Sequence, residues 1–402
     1  MVDLHVHFPM HLLEGVESPR DVIAQMTRVR AQEHGKLRAA VFALAARAFN
    51  FRHWGTSWRV TPELLRAGEV SIACSVLYRP FSELDVHAPY GAPPRSAYYG
   101  KLVELIDAVE REVERTGGIF VRSSVDLEGA GLAGADGTGA SGAGERAGDP
   151  RYVHCIEGGF HLGATPDEVT AHVHELADRG VLYITLAHLF WRGVATNTPA
   201  LPFLPDLVYD RVFPQAPGLA LSPLGEAAVR AMYERRVLVD ISHMREDAIN
   251  ETFAIVEALD RETGRAPREY PIIASHSAYR FGRGHYGVTD GTIARIVARG
   301  GVIGLIFAQA QLKDGLLRTD TKTLNESLDL LSRHIEAIGP EHVAIGSDLD
   351  GFIKPTLGGV ESAADLKPFA TALRERYPET ADAMLRTNAL RIIRQRFASA
   401  AP

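Results

Sequence analysis

Residues 237–243 read VLVDISH: an apolar run that takes one acid within it and ends on a histidine. Aliphatic residues packed that densely into a short segment suit a strand buried on both faces, as in a parallel sheet covered by helices. The same form recurs in YVHCIEGG (152–159), LYITLAH (182–188), PIIASHS (271–277) and HVAIGSDLD (342–350). Further strand candidates are VDLHVHF (2–8), AAVFALAA (39–46), SIACSVL (71–77), IFVRSS (119–124) and GVIGLIF (301–307).

Helical patterns separate these runs, as in GKLVELIDAVEREVERT (100–116), TPDEVTAHVHELADR (165–179), LGEAAVRAMYERR (224–236) and SLDLLSRHIEAIG (327–339). Strand followed by helix, repeated about eight times, predicts an α/β chain folded as a (β/α)8 TIM-type barrel. Ten strand candidates exceed eight by two, so two belong outside the barrel or are not strands. An open doubly wound sheet is the runner-up, but no G-x-G-x-x-G fingerprint follows any of the strands.

The rhythm is the same before and after residues 128–150, EGAGLAGADGTGASGAGERAGDP, so the chain reads as one domain over 1–402 with a Gly/Ala-rich insertion. Nearly free of large apolar side chains, that insertion is expected to be a flexible surface loop. The proline-rich stretch 191–225 keeps many apolar residues and is expected to pack over the mouth of a site.

Composition narrows the function classes. The 402 residues are 46% hydrophobic and 23% charged, with a formal net charge of −7, the profile of an ordinary globular protein. No basic stripe interleaved with aromatics suggests nucleic acid as a partner. No apolar run approaches the roughly 18 residues that would span a bilayer, and the N-terminal segment lacks the pattern of a signal peptide. The expectation is a cytoplasmic protein without membrane or nucleic-acid partners. Its two cysteines, Cys74 and Cys155, sit in apolar strand-like runs and do not suggest a disulfide framework.

The ionisable residues fall at strand ends. Glu157, His188, His243, His276 and Asp348 each close an apolar run, and in a parallel barrel those ends converge on one face. In the first strand candidate, His5 and His7 stand two apart, so a strand points both imidazoles to one side. His172 and His174 have the same spacing in a helical segment, where residues two apart do not face each other; they are read as helix-surface residues. Imidazoles and carboxylates without thiolates suit zinc or a neighbouring divalent ion. Two such ions bridged by a carboxylate such as Glu157 would activate water and polarise a carbonyl, which points to hydrolysis.

IEGG, ITLAH, LSPLGEAAV, VDISH, PIIASHSAY and GSDLDG together resemble, in order and spacing, the renal (membrane) dipeptidase family of the amidohydrolase superfamily. The resemblance implies a barrel with a two-zinc site that hydrolyses dipeptides, with tolerance for a C-terminal D-residue, through attack by a metal-bound hydroxide. It implies that Glu157 bridges the metals, with His5 on the first and His243 and His276 on the second. Asp348 would handle the proton of the attacking group, and His188 would contact the carbonyl oxygen as it gains charge.

Two positions depart from the family pattern. The family's H-x-D motif is H-x-H here, so His7 replaces a carboxylate, and a single ion or another divalent metal is the alternative to two zincs. The family's carboxylate-clamping arginine aligns with Tyr286, beside His285, leaving Arg280 and Arg283 as candidate substitutes in substrate binding. The expected function is therefore a zinc-dependent dipeptidase-like hydrolase acting on a small peptide or amide. The alternatives are an amidohydrolase of a non-dipeptide amide or lactam, and a noncatalytic metal- or ligand-binding barrel. A homodimer is compatible with the resemblance, although nothing in the chain specifies one.

Overall fold

The computed structural model describes the chain apart from residues 27, 29–33, 53–56, 86, 129–148, 202–203, 354 and 399–402. Among the described residues nine strands form in chain order: β1 (Val2–Val6), β2 (Ile72–Leu77), β3 (Ile119–Phe120), β4 (Arg151–Glu157), β5 (Tyr183–Thr185), β6 (Leu238–Asp240), β7 (Ile272–Ser277), β8 (Ile303–Leu305) and β9 (Val343–Ile345). Eight of them pair side by side in the order β1-β2-β4-β5-β6-β7-β8-β9, and β3 pairs with β4 off that path. Every pairing is parallel. The segment after β9 closes the ring on β1, since Asp348 N donates to His5 O (2.9 Å) and His7 N to Leu349 O (3.0 Å). The expected eight-stranded parallel barrel with surrounding helices is thus what the chain builds.

The two surplus strand candidates resolve differently. IFVRSS contributes only the two-residue β3. AAVFALAA lies inside the helix Lys36–Arg52, which corrects the strand expectation. A strand would place Phe42 and Leu44 on one face, whereas Phe42 is 2% exposed and Leu44 61%. Alanine costs no side-chain entropy in a helix, so this short apolar run follows its helix propensity.

The main apolar cluster runs from Val2 in β1 to Phe397 in the last helix, Asn388–Ala398, and a smaller separate one gathers Phe42, Phe190, Tyr209 and Phe213. The Gly/Ala-rich insertion falls outside the described residues for positions 129–148. Within the stretch after Trp191, Asn197 is fully buried and its amide donates to Leu189 O, Thr198 O and Tyr209 Oη. No helix among the described residues is long and apolar enough to cross a membrane.

Small residues let the last strands press against β7, which carries His276. A Cβ on Gly304 of β8 would lie 1.8 Å from Ser275 O, and one on Gly346 just after β9 would lie 1.9 Å from the same oxygen. Backbone cannot yield as a side-chain tip can, so Gly304→Ala is expected to cost at least about 3 kcal/mol, the upper end of ordinary overpacking. Urea unfolding measures it, and an unchanged midpoint would refute this account of the β7–β8 contact.

Candidate metal centre

Seven residues singled out from the sequence meet at the C-terminal end of the barrel. Glu157 is the last residue of β4 and His276 lies near the end of β7; His188, His243 and Asp348 stand three residues beyond β5, β6 and β9. His5 lies in β1 and His7 directly follows it. All seven are buried, none more than 6% exposed. His243 and Asp348 adopt left-handed backbone conformations, φ 63° and 57°. Such strain in non-glycine residues persists where surrounding structure enforces it, often at functional sites.

Glu157 is the hub. Its Oε1 faces the Nε2 atoms of His276 (3.4 Å), His5 (3.5 Å) and His243 (3.7 Å). Its Oε2 faces those of His7 and His188, both at 3.3 Å. Asp348 Oδ1 lies 3.1 Å from His7 Nε2 and 3.8 Å from His5 Nε2. Despite these neighbours, neither buried oxygen of Glu157 has a hydrogen-bond partner of acceptable geometry among the described residues. Buried carboxylate oxygens are seldom left so.

The hydrogen bonds behind the cluster explain why. Asp240 accepts from Ser275 Oγ (2.6 Å), Ser242 Oγ (2.8 Å) and Thr185 Oγ1 (2.5 Å). The proton of Ser275 Oγ is thereby committed, as is that of Tyr183 Oη, which donates to Leu4 O. Those two oxygens can only accept from His5 Nδ1, 2.9 Å from each, and Ser275 Oγ also accepts from His276 Nδ1 at 2.9 Å. With Nδ1 protonated, a neutral ring keeps a lone pair on Nε2. Burial lowers the pKa of both His5 and His276 well below the usual histidine value, which favours that neutral form.

Lone pairs on His5 and His276 therefore point at a carboxylate oxygen, and the Nε2 atoms of His243 and His276 lie 2.9 Å apart. This donor set fits a divalent cation, which would take up the unpartnered Glu157 oxygens. Three overlapping groups have the necessary convergence: His5 with Glu157 and His276, His5 with His7 and Asp348, and Glu157 with His188 and His243. Charge supports the same reading. Burial pushes Glu157 upward, but the neighbouring imidazoles of His188, His5 and His7 hold it well below the carboxylate range. Burial works against a charged His188, yet Glu157 and Glu83 outweigh it and raise its pKa.

The substrate-binding candidates are more scattered. Tyr286 packs edge-on to His243, with ring centroids 5.2 Å apart, and its hydroxyl donates to His276 O (3.1 Å). Beyond it opens a pocket of about 690 Å³, also lined by Arg280, Arg283, His285 and Gln311. Arg280 donates to the carbonyls of Gly287 and His285, both at 2.8 Å, and Arg283 is exposed. Asp240, Asp350, His172 and His174 stay out of the cluster. Asp350 accepts from the backbone of Arg59 and Val60, and His172 and His174 lie on the helix Pro166–Asp178. The sequence reading missed Glu83, 2% exposed and bonded to His188 Nδ1 at 2.7 Å. Its only signal was an acid in the loop that follows β2.

The model of the membrane dipeptidase family (peptidase family M19) matches residues 1–401. An uncharacterized dipeptidase of Schizosaccharomyces pombe is 28% identical over 188 residues, 46% of this chain and 39% of that protein. The dipeptidase tcpJ of Claviceps purpurea is 28% identical over 242 residues, 59% of this chain and 49% of that protein. Each match thus spans less than half of the relative's own length. Among solved structures, the dipeptidase AC, a metallopeptidase of family M19, aligns with a TM-score of 0.66 at 17% identity, covering 99% of this chain and 98% of that one. A metallopeptidase from Rhodobacter sphaeroides, liganded with a phosphinate mimic of the dipeptide L-Ala-D-Ala, aligns with a TM-score of 0.66 at 18% identity over 98% of both chains. At these identities the structural likeness speaks for the fold.

Proposed function

The chain belongs to the membrane dipeptidase family, and from that premise we propose that it is a zinc-dependent hydrolase of dipeptides, including those with a C-terminal D-residue. The observation that carries the proposal is the division of Glu157 between two sets of imidazoles: His5, His243 and His276 on Oε1, His7 and His188 on Oε2. A carboxylate with imidazoles on both oxygens suits two ions; the family pattern, rather than this division, would put His5 and His7 on one and His243 and His276 on the other. Zinc held there would lower the pKa of a water and polarise the substrate carbonyl.

The chain's own residues supply the rest. His188 presents Nε2 to the centre, where it can stabilise the carbonyl oxygen as charge develops. Asp348 accepts a proton from the attacking water as the C–O bond forms and returns it to the amine nitrogen as the C–N bond breaks. Tyr286 walls the centre on the side of the 690 Å³ pocket, which is where the substrate's second residue would lie. The two buried free cysteines support residence in the reducing cytoplasm.

A second reading, an amide without a free C-terminal carboxylate, is favoured by the bonds of Arg280 to backbone carbonyls, which engage Nε and Nη2 and so take the side-on face that a bidentate carboxylate would use. Amine release from zinc-supplemented protein across L,L and L,D dipeptides, N-acyl amino acids and C-terminally amidated dipeptides separates the two. Turnover of free dipeptides that a chelator abolishes is the expected result. Turnover restricted to the amidated compounds would move the assignment to the second reading, and no turnover of any would refute both.

A further inference from the structure

We propose that Glu83 is a positioning residue for hydrolysis: it locks the ring of His188 so that Nε2 faces the reacting carbonyl. The inference rests on the proposed function, in which His188 contacts the carbonyl oxygen.

Glu83 ends the short helical turn Pro80–Glu83 that follows β2, far in sequence from the other residues of the centre. Both carboxylate oxygens are in use. Oε1 accepts from Phe190 N (2.9 Å), and Oε2 accepts from Tyr78 Oη (2.6 Å) and His188 Nδ1 (2.7 Å). The anchor grips the loop after β5 twice, at the His188 ring and at the backbone two residues on. The Tyr78 ring meets the His188 ring edge-on, centroids 4.5 Å apart, which limits rotation about the remaining torsion.

An ionised carboxylate only accepts hydrogen bonds, so His188 Nδ1 must carry a proton and the ring cannot flip without losing its partner. That leaves Nε2, 3.3 Å from Glu157 Oε2, as the atom presented to the centre. A buried carboxylate with three donors on it, one of them a histidine of the centre, is a costly arrangement for packing alone. Carboxylates that orient a functional imidazole through its far nitrogen commonly affect activity by about 10–100-fold.

Glu83→Gln tests this with little change of volume. Its amide oxygen can accept from Phe190 N, which turns the NH2 toward His188 and Tyr78, where acceptors are now required. In zinc-loaded protein assayed with whichever free or amidated dipeptide the wild type turns over, kcat should fall about 10–100-fold while KM, zinc content and melting temperature stay near wild type. Glu83→Ala should lose at least as much and regain activity with added formate. The 15N resonances of His188, assigned by comparison with His188→Gln, should report Nδ1 protonated in the wild type and the opposite tautomer in Glu83→Gln. Wild-type kcat in Glu83→Gln overturns the proposal, as does a loss that follows zinc content or stability and resists formate. If the wild type hydrolyses nothing on the panel, the proposed function fails on its own account. The His188 resonances then decide the positioning claim, and an unchanged tautomer in Glu83→Gln refutes it.

Discussion

Glu157→Gln is expected to reduce zinc affinity by at least about 100-fold, beyond the range for partners that merely support a ligand, and to leave hydrolysis at background. The reason is the crowding of donors around one side chain. Five Nε2 atoms stand within 3.7 Å of its two oxygens, and Glu157 supplies the negative charge shared by both sets. Glutamine keeps the shape but removes the charge and turns one acceptor into a donor aimed at imidazole lone pairs. Zinc titration with a competing chelator reads the affinity, and urea unfolding of the metal-depleted forms controls for folding. The buried charge is itself a burden on the fold, so the variant should fold at least as stably as wild type without metal. Retention of wild-type zinc affinity would remove Glu157 from the centre of the assignment.

Asp348→Asn should leave zinc bound and lower kcat by about 10²–10⁴-fold, the range for loss of a group that moves a proton in the transition state. Asparagine suits the backbone here: Asp348 sits at φ 57°, a conformation that Asn tolerates better than most residues, so the change isolates chemistry from strain. The four imidazoles of His5, His7, His243 and His276 remain with Glu157 to hold the ion. Burial raises the pKa of Asp348 above the ordinary carboxylate value, opposed by the neighbouring His7. Amine release and zinc content measured on one preparation test the expectation. A variant that loses zinc along with activity would show Asp348 to be a ligand beside His5 and His7, and one that keeps full activity would deny it any role in proton transfer.

The departures from the family pattern also take physical form. His7 in place of an acid still converges on the cluster, 3.1 Å from Asp348 Oδ1 and 3.3 Å from Glu157 Oε2, so the change costs the site a charge and not a donor. Tyr286, where the family has its arginine, donates its hydroxyl to the backbone of His276 and meets the His243 ring edge-on. A tyrosine there cannot make a bidentate clamp.

What the sequence determined by itself was local in origin. Apolar runs that end in a histidine or an acid specify buried parallel strands, and a parallel barrel brings all such ends to one face. That logic is enough to bring His5, His7, Glu157, His188, His243, His276 and Asp348 to one end of the barrel, and it separates His5 and His7 from the identical spacing at His172 and His174, since strand and helix periods differ. Other features depend on contacts across the chain. Whether AAVFALAA was strand or helix turned on which face Phe42 could bury, because a short alanine-rich run satisfies both patterns. Glu83 carries no periodic signal and gained its meaning only when the barrel set it 2.7 Å from a residue 105 positions away. Arg280, close in sequence to the position of a clamp, was turned by the tertiary structure toward the carbonyls of Gly287 and His285. Strand and helix patterns are written in nearest-neighbour spacing, whereas the partner of a buried polar group is chosen by the packing of distant segments, and only the folded chain brings those together.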